Sequence, residues 1–413
     1  MAGTKRNFGS TSDSSSREVF GNNKRCRIDS CRSETCHIHT AITEKLLRTV
    51  AVNAQSMCCK YSTNFLKINL LNVENSNAID GSHFSTAFCR LAESIEEYSF
   101  SSLYERGFRI LQEFLKNDEM PTNDKENYVL EMLLHFLVKM ENIDAHAPFR
   151  GLEGLEETDI AIILANHLFG KLCTSSHFLI DRQRREMEGK ATDSCPCLDA
   201  GCEMSGRFGD TGIGNPSVWH GNVDVIVNQS VIIEALKDEL DCDSHGWAPV
   251  EVNLSRNQQI IAETIVFSFL QKQRHPEYSQ FLFPCIGVKG NEMVVYFYDS
   301  EHDVLLESSP ITILSRAGKL SVEAIIVSWL VVNHKYLCKG LTETLKTKSS
   351  GFFHQADEAL NVYEKELNFG NIGDQSPKPM PHYRFVADPS ADRLEERWAS
   401  VLSAINVRFG KKT

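Results

Sequence analysis

The chain predicts a mixed α/β protein: a mostly helical N-terminal region, then an α/β core, then C-terminal helices. Three observations carry this. Two short β-branched runs, 223–227 and 231–236, are followed by a long, almost wholly apolar helix and by three more strand-like runs up to Glu307. From Ala41 to about Met140 apolar residues recur at helical spacing. Two further segments, DIAIILANHLFGKLC from Asp159 and VEAIIVSWLVVNHKYL from Val322, are apolar on most faces, as helices covered on both sides are.

A chain of 413 residues, 42% of them hydrophobic, has room for two or three domains. The boundaries read as a disordered tail over 1–40, a helical region over 41–150, a core over 151–340 with polar insertions at 182–217 and 238–250, and C-terminal helices with a linker over 341–413. A net charge of −12 excludes a global basic field, so any nucleic-acid contact needs a local patch of Lys and Arg. No run is long and apolar enough to cross a bilayer, so no membrane partner is expected. The N-terminus lacks the apolar core of a signal peptide. The 13 cysteines are an odd number, and Cys89, Cys173, Cys285 and Cys338 lie in apolar runs. That usage suits buried thiols in a reducing compartment, so the expected location is intracellular, cytoplasmic or nuclear, and not secreted.

In the tail, KRCR at 24–27 has the composition of a nuclear-import patch and also of a chance basic run. Ser102 with Glu105, and Asn123 with Glu126, read as capping boxes that open two helices. The stretch 142–158, with Pro148, Gly151 and Gly154, reads as a linker, and Thr158 as the cap of the next helix. Residues 182–217 are polar, Gly-rich and too long for an ordinary connection, so they are expected to be a functional loop or a disordered one, dispensable for folding. Asn228 and Gln229 form the tight turn of a hairpin. Ser255 caps the long helix, Ser321 caps a second buried one, and Asp388 with Pro389 opens a last amphipathic helix.

The chemistry concentrates around Asp224, set among apolar neighbours in Gly221-x-x-Asp224. A buried carboxylate is costly without a partner, and a divalent cation such as Mg²⁺ is one such partner. The bland alternative is a strand-edge Asp bonded to backbone amides. The second carboxylate of a metal site would be Glu234, across the hairpin, or Glu251, just before the long helix. Hairpin neighbours satisfy the short separation more surely. Lys237 lies close in sequence, but strand alternation points it away from Glu234. Gln259 and Glu263, four apart, form a polar notch on the apolar helix and require partners.

An Asp in one strand, an acid in the next and a Gln near the start of the following helix resemble the PD-(D/E)XK nuclease superfamily, in particular its recombination-type exonucleases. The resemblance covers about 150 residues. It implies a restriction-endonuclease-like core and a metal-dependent phosphodiesterase site, with Asp224 and Glu234 or Glu251 as ligands and catalytic groups. Gln258 or Gln259 would be the helical glutamine, and Mg²⁺ the cofactor. The sequence departs from the pattern where Leu236 and Asn253 stand two residues after the two Glu, in place of Lys. No Tyr follows four residues after either Gln. The same stretch resembles a family of animal proteins sharing W-H-G-x-x-D and the helix I-V-F-S-F-L-Q. Two functions therefore stand open: a nuclease-like protein acting on nucleic-acid phosphodiesters, or a non-catalytic interaction protein that keeps the fold.

A thiol cluster is the remaining candidate. Cys195, Cys197 and Cys202 crowd one polar loop, and Cys242 with His245 lie in the second insertion. Structural zinc sites usually begin C-x₂₋₄-C, whereas this loop begins C-x-C. Cys26, Cys31, Cys36, His37 and His39 are spaced more loosely still. Free thiols in mobile loops fit these spacings best. The sequence contains no G-x-S-x-G elbow, P-loop, dinucleotide fingerprint or H-E-x-x-H.

Overall fold

The computed structural model describes residues 43–174, 178–182, 194–197, 199, 201–236, 253–370 and 372. The tail with KRCR, the insertion at 238–250 and the helix expected from Asp388 lie outside the described residues.

Helix α1 (Glu44–Cys58) begins at Thr43, whose hydroxyl accepts the Leu46 N–H at 3.2 Å. The chain then departs from the all-helical expectation for 41–150. Strands β1 (Lys67–Ser76) and β2 (Cys89–Ser99) pair antiparallel, with β2 on the edge of the main sheet. Helices α2 (Glu105–Asn117) and α3 (Asp124–Met140) follow. Asn123 caps α3 as expected, accepting the N–H groups of Lys125 and Glu126. Ser102 does not cap α2: its hydroxyl donates to the Ser99 carbonyl in the preceding helical turn. The expected linker is packed, for its 3₁₀ turns Ile143–Phe149 and Leu152–Gly154 bury Phe149 and Leu152.

Helix α4 (Glu157–Leu164) is buried along its length and runs on through a π turn, Ala165–Phe169, to Leu172. Thr158 lies inside its first turn; Glu156 is the cap residue. Then come β3 (Phe178–Asp181), β4 (Arg207–Gly209), β5 (Gly212–Gly214), β6 (His220–Asn222), β7 (Val225–Val227) and β8 (Val231–Leu236). Strands β4 and β5 correct the reading of 182–217 as a dispensable loop, since Ile213 is fully buried and β4 joins the main sheet. The β7–β8 turn is the one expected: Asn228 and Gln229 both take positive φ, 51° and 56°, as a two-residue hairpin turn of matching twist requires.

Helix α5 (Gln258–Arg274) is capped by Asn257, which accepts the Ile260 N–H at 3.1 Å. Ser255 instead donates to Glu307. Strands β9 (Leu282–Lys289), β10 (Glu292–Asp299), β11 (Val304–Ser308) and β12 (Ile311–Thr312) precede helix α6 (Val322–Val332), capped by Ser321 as expected. Short helices at Glu343–Lys346, Phe352–Ala356 and Leu360–Lys365 and strand β13 (Asn368–Phe369) complete the described chain.

The main sheet has the order β2-β1-β11-β10-β9-β8-β7-β3-β4, with β12 added to β10. Its neighbours are antiparallel except for two parallel pairs, β8 with β9 and β3 with β4. A parallel pair needs a crossover, and α5 supplies it. Alternation along the strands gives the sheet two apolar faces. Val225, Val227, Val231, Ile233 and Ala235 share a core with α1 to α4 and α6. Ile226, Ile232 and Leu236 share the other with α5. The far side of α5 is closed by Trp219, Phe352 and Tyr363; the Phe269 ring lies 6.1 Å from that of Phe352 and 5.6 Å from that of Tyr363. The result is three layers, helices on both faces of one mixed sheet.

Candidate functional site

The β7–β8 hairpin places Asp224 and Glu234. Its register pairs Val225 with Ile233, so the next pair outward is Asp224 opposite Glu234. Alternation puts Glu234 on the α5 face, between Ile232 and Leu236. Both carboxylates are about 1% exposed. Each takes a backbone N–H from across the hairpin: Asp224 N–H donates to Glu234 Oε2 and Ala235 N–H donates to Asp224 Oδ2, both at 2.9 Å. One sequence expectation for Asp224, bonding to a strand amide, is therefore present alongside the acid pair.

Gln259 reaches this pair from the first turn of α5. Its Nε2 donates to Glu234 Oε1 at 2.8 Å and to Glu263 Oε1 at 3.0 Å. One amide nitrogen thus bridges two buried acids, and the polar notch of α5 turns inward. Cys285 on β9 reports the charge around it. Burial first, then the nearby Glu263, Glu234 and Asp224, push its thiol well above the ordinary value. A fourth acid borders the group. Asp181, at the end of β3, donates its N–H to the Asp224 carbonyl and accepts Asn222 Nδ2 at 2.8 Å.

The start of α5 is fixed by a further buried acid. Glu307 on β11 accepts the Ser255 hydroxyl and the Arg256 N–H, while Tyr296 donates to the Leu254 carbonyl and accepts the Asn257 N–H. Burial raises the Glu307 carboxyl above its usual range, with the Arg256 N–H the chief opposing influence. This lattice sets the first turn of α5, and so Gln259, against the hairpin.

The structure thus brings Asp224, Glu234 and Gln259 together and adds Glu263. Gln258 is exposed on the same turn, and Asn253 is exposed in the preceding loop. Glu251 and Lys237 lie outside the described residues. The place two residues after Glu234 is held by Leu236, which is 8% exposed. Its parallel register partner is Lys289 on β9. Lys289 follows Gly287, the partner of Glu234, by two residues, and therefore leaves the sheet on the Glu234 face. Register across a crossover is not visible in a sequence, so Lys289 had no signal there.

The hard oxygen donors of Asp224 and Glu234 are of the kind Mg²⁺ and Mn²⁺ take, often from only one or two carboxylates. In that respect the residues fit the expected cation. A cleft of about 690 Å³ lies elsewhere, at the other end of α5, lined by Arg207, Gln271, Arg274 and Lys335 among others. Gln271 stands twelve residues from Gln259, about 18 Å along the helix axis. Two of the cations in the cleft are already engaged: Arg274 lies 5.0 Å over the Phe369 ring and Lys335 donates to Tyr278.

The thiol cluster is assembled from a different partner than the sequence indicated. Cys195, Cys197 and Cys202 meet His167 of the π turn after α4. Cys242, His245 and the Cys and His residues of the tail lie outside the described residues. Among the described residues no helix is long and apolar enough to cross a membrane. Comparison of the chain with protein-family models, curated proteins and solved structures finds no match.

Proposed function

We propose that the chain is a PD-(D/E)XK-like protein in which Asp224 and Glu234 hold a divalent cation, Mg²⁺ or Mn²⁺, for hydrolysis of nucleic-acid phosphodiesters at a low rate. The observation that carries the reading is the convergence of Asp224, Glu234 and Gln259 at hydrogen-bond distance on one face of a hairpin. The order of elements supports it: a buried helix, three antiparallel strands β3, β7 and β8, a crossover helix, and β9 parallel to β8. A bound divalent ion supplies a Lewis acid and lowers the pKa of water. The protein's own part is to hold Glu234 by Gln259 and the Asp224 N–H, so that the two acids keep one geometry. Gln259 also couples that geometry to α5.

The low rate follows from Leu236. A cation that stabilises the charge of the transition state is typically worth about 10²–10³ in rate, and an apolar side chain gives none of it. Lys289, on the neighbouring strand and the same face, is a partial replacement. A second reading has its own observation. Asp224 and Glu234 are both about 1% exposed, which suits a fold kept for protein interaction after the chemistry was lost.

The test is cleavage of single-stranded DNA, duplex DNA and RNA by the full chain, with and without Mg²⁺ or Mn²⁺, beside Asp224→Asn. The proposal expects slow, metal-dependent cleavage that the variant loses while its circular dichroism and melting stay unchanged. Cleavage that survives in Asp224→Asn removes the site. Absence of both cleavage and Mn²⁺ binding by calorimetry leaves the interaction reading.

A further inference from the structure

We infer that His167, Cys195, Cys197 and Cys202 form a structural zinc site that ties the chain entering β4 to the end of helix α4. The ligand atoms of all four residues lie within 4.8 Å of one another. His167 Nε2 is 3.4 Å from Cys195 Sγ and 3.5 Å from Cys202 Sγ. These separations are what a tetrahedral ion demands. Bonds of about 2.3 Å to sulfur and about 2.0–2.1 Å to nitrogen give an N···S edge of roughly 3.5–3.6 Å and an S···S edge of roughly 3.8 Å. Three thiolates with one imidazole are a soft, four-donor set, which selects Zn²⁺ and not the hard cations suited to Asp224 and Glu234. With four protein donors no position is left open, so the role is structural.

The surroundings are built for the cluster. His167 lies in the π turn Ala165–Phe169, an irregularity that re-aims side chains leaving a helix. Its ring lies T-shaped against Phe149, at 6.2 Å between centroids and 79° between planes. The fully buried Asn166 beside it donates to Cys202 Sγ at 3.3 Å and to the Glu203 carbonyl, and accepts the Ser205 N–H. An amide N–H directed at a ligating sulfur is the kind of outer contact that orients metal ligands. Gly206 follows, so close to Phe178 that an added Cβ would lie 2.1 Å from the ring, and β4 then pairs with β3. The ion therefore fixes the loop at the point where the chain re-enters the sheet.

The experiment is zinc stoichiometry of the full chain, purified under reducing conditions without added metal, together with Co²⁺ exchange. The inference expects close to one zinc per chain. It also expects a cobalt form with intense thiolate-to-cobalt absorption and the strong visible bands of tetrahedral geometry. Cys202→Ser and His167→Ala should lower zinc content to half or less, and Cys285→Ser should leave it unchanged. A chain without zinc, with no thiolate band on Co²⁺ titration, overturns the inference. So does full zinc content in both His167→Ala and Cys202→Ser, which would place the metal elsewhere. The cobalt spectrum is read on the unaltered chain, so variants that fail to fold leave the test intact.

Discussion

Asp224 and Glu234 are locked to each other's strand: the N–H of Asp224 donates to Glu234, and the N–H of Ala235, the residue after Glu234, donates to Asp224. The two acids are thus positioned by the backbone hydrogen bonds of the hairpin itself. Glu234 accepts on both oxygens, from the Asp224 N–H and from Gln259. Glu234→Gln therefore turns an N–H against one donor or the other. The expected loss in stability is about 1–3 kcal/mol, read by chemical denaturation. A loss below about 0.5 kcal/mol would mean that the hairpin does not depend on Glu234.

Phe267 is a test of the layering. It is 1% exposed on α5 and meets Phe283 of β9 edge-on, with ring centroids 6.3 Å apart. Phe267→Ala should cost about 3–5 kcal/mol, the range for cutting a buried aromatic to a methyl group. A cost below about 1 kcal/mol, measured by the same denaturation, would mean that α5 is not held against the sheet.

Most of the central layer could be read from the residues. β8 spans the run expected of it, and the Asn228–Gln229 turn takes the φ values that such a turn needs. The N-terminal strands could not be read, and burial of both faces of β1 explains why. The β1–β2 ladder shifts between Asn69 and Leu71 and again between Val73 and Asn75. Ile68 and Leu70 face one core, Leu71 and Val73 the other. Both faces of β1 are thus covered, and apolar residues at 68, 70, 71 and 73 show no two-residue period, so their spacing imitates a helix. β2 is an edge strand with Glu96 and Glu97, a composition that guards an edge and hides a strand. At the carboxylates, the Asp224–Glu234 pair and the Gln259–Glu263 notch were legible because a hairpin and one helical turn are local, whereas the approach of Gln259 to Glu234, 25 residues away, was implied only by the resemblance. His167 was not: it stands 28 residues before Cys195 inside an apolar helix, and only the fold brings the two together.

His334 gives a pH dependence. It is fully buried, with its ring edge-on to Phe283 at 5.4 Å, and burial lowers its pKa to about 3. The unfolded chain takes up this proton near the ordinary imidazole value of 6.5, while the folded one stays neutral far below it. The contribution to stability is therefore complete above 6.5 and is lost as the pH falls towards the folded value. At about pH 4 the difference amounts to about 3 kcal/mol. His334→Gln should flatten the decline between pH 6.5 and 4 relative to the unaltered chain, in parallel denaturant titrations. An unchanged slope would mean that His334 protonates in the folded state.

Leu236→Lys asks whether the missing cation is what limits the proposed hydrolysis. Leu236 ends β8, on the α5 face that carries Glu234, and is 8% exposed. A lysine stem can cover the same apolar surface while its ammonium reaches the rim. If Asp224 and Glu234 hold a divalent ion, this substitution should raise metal-dependent cleavage by about 10²-fold, the scale of one preorganised charge partner. Adding Asp224→Asn should remove the gain. Lys289→Met separates the two lysine positions. It should lower the residual activity of the unaltered chain and have little effect once Leu236→Lys is present, because both cations would serve the same charge. A folded Leu236→Lys protein that binds Mn²⁺ yet cleaves no faster would show that the departure at 236 is not the limiting one. The two acids would then be a metal-binding or structural pair without a hydrolytic role.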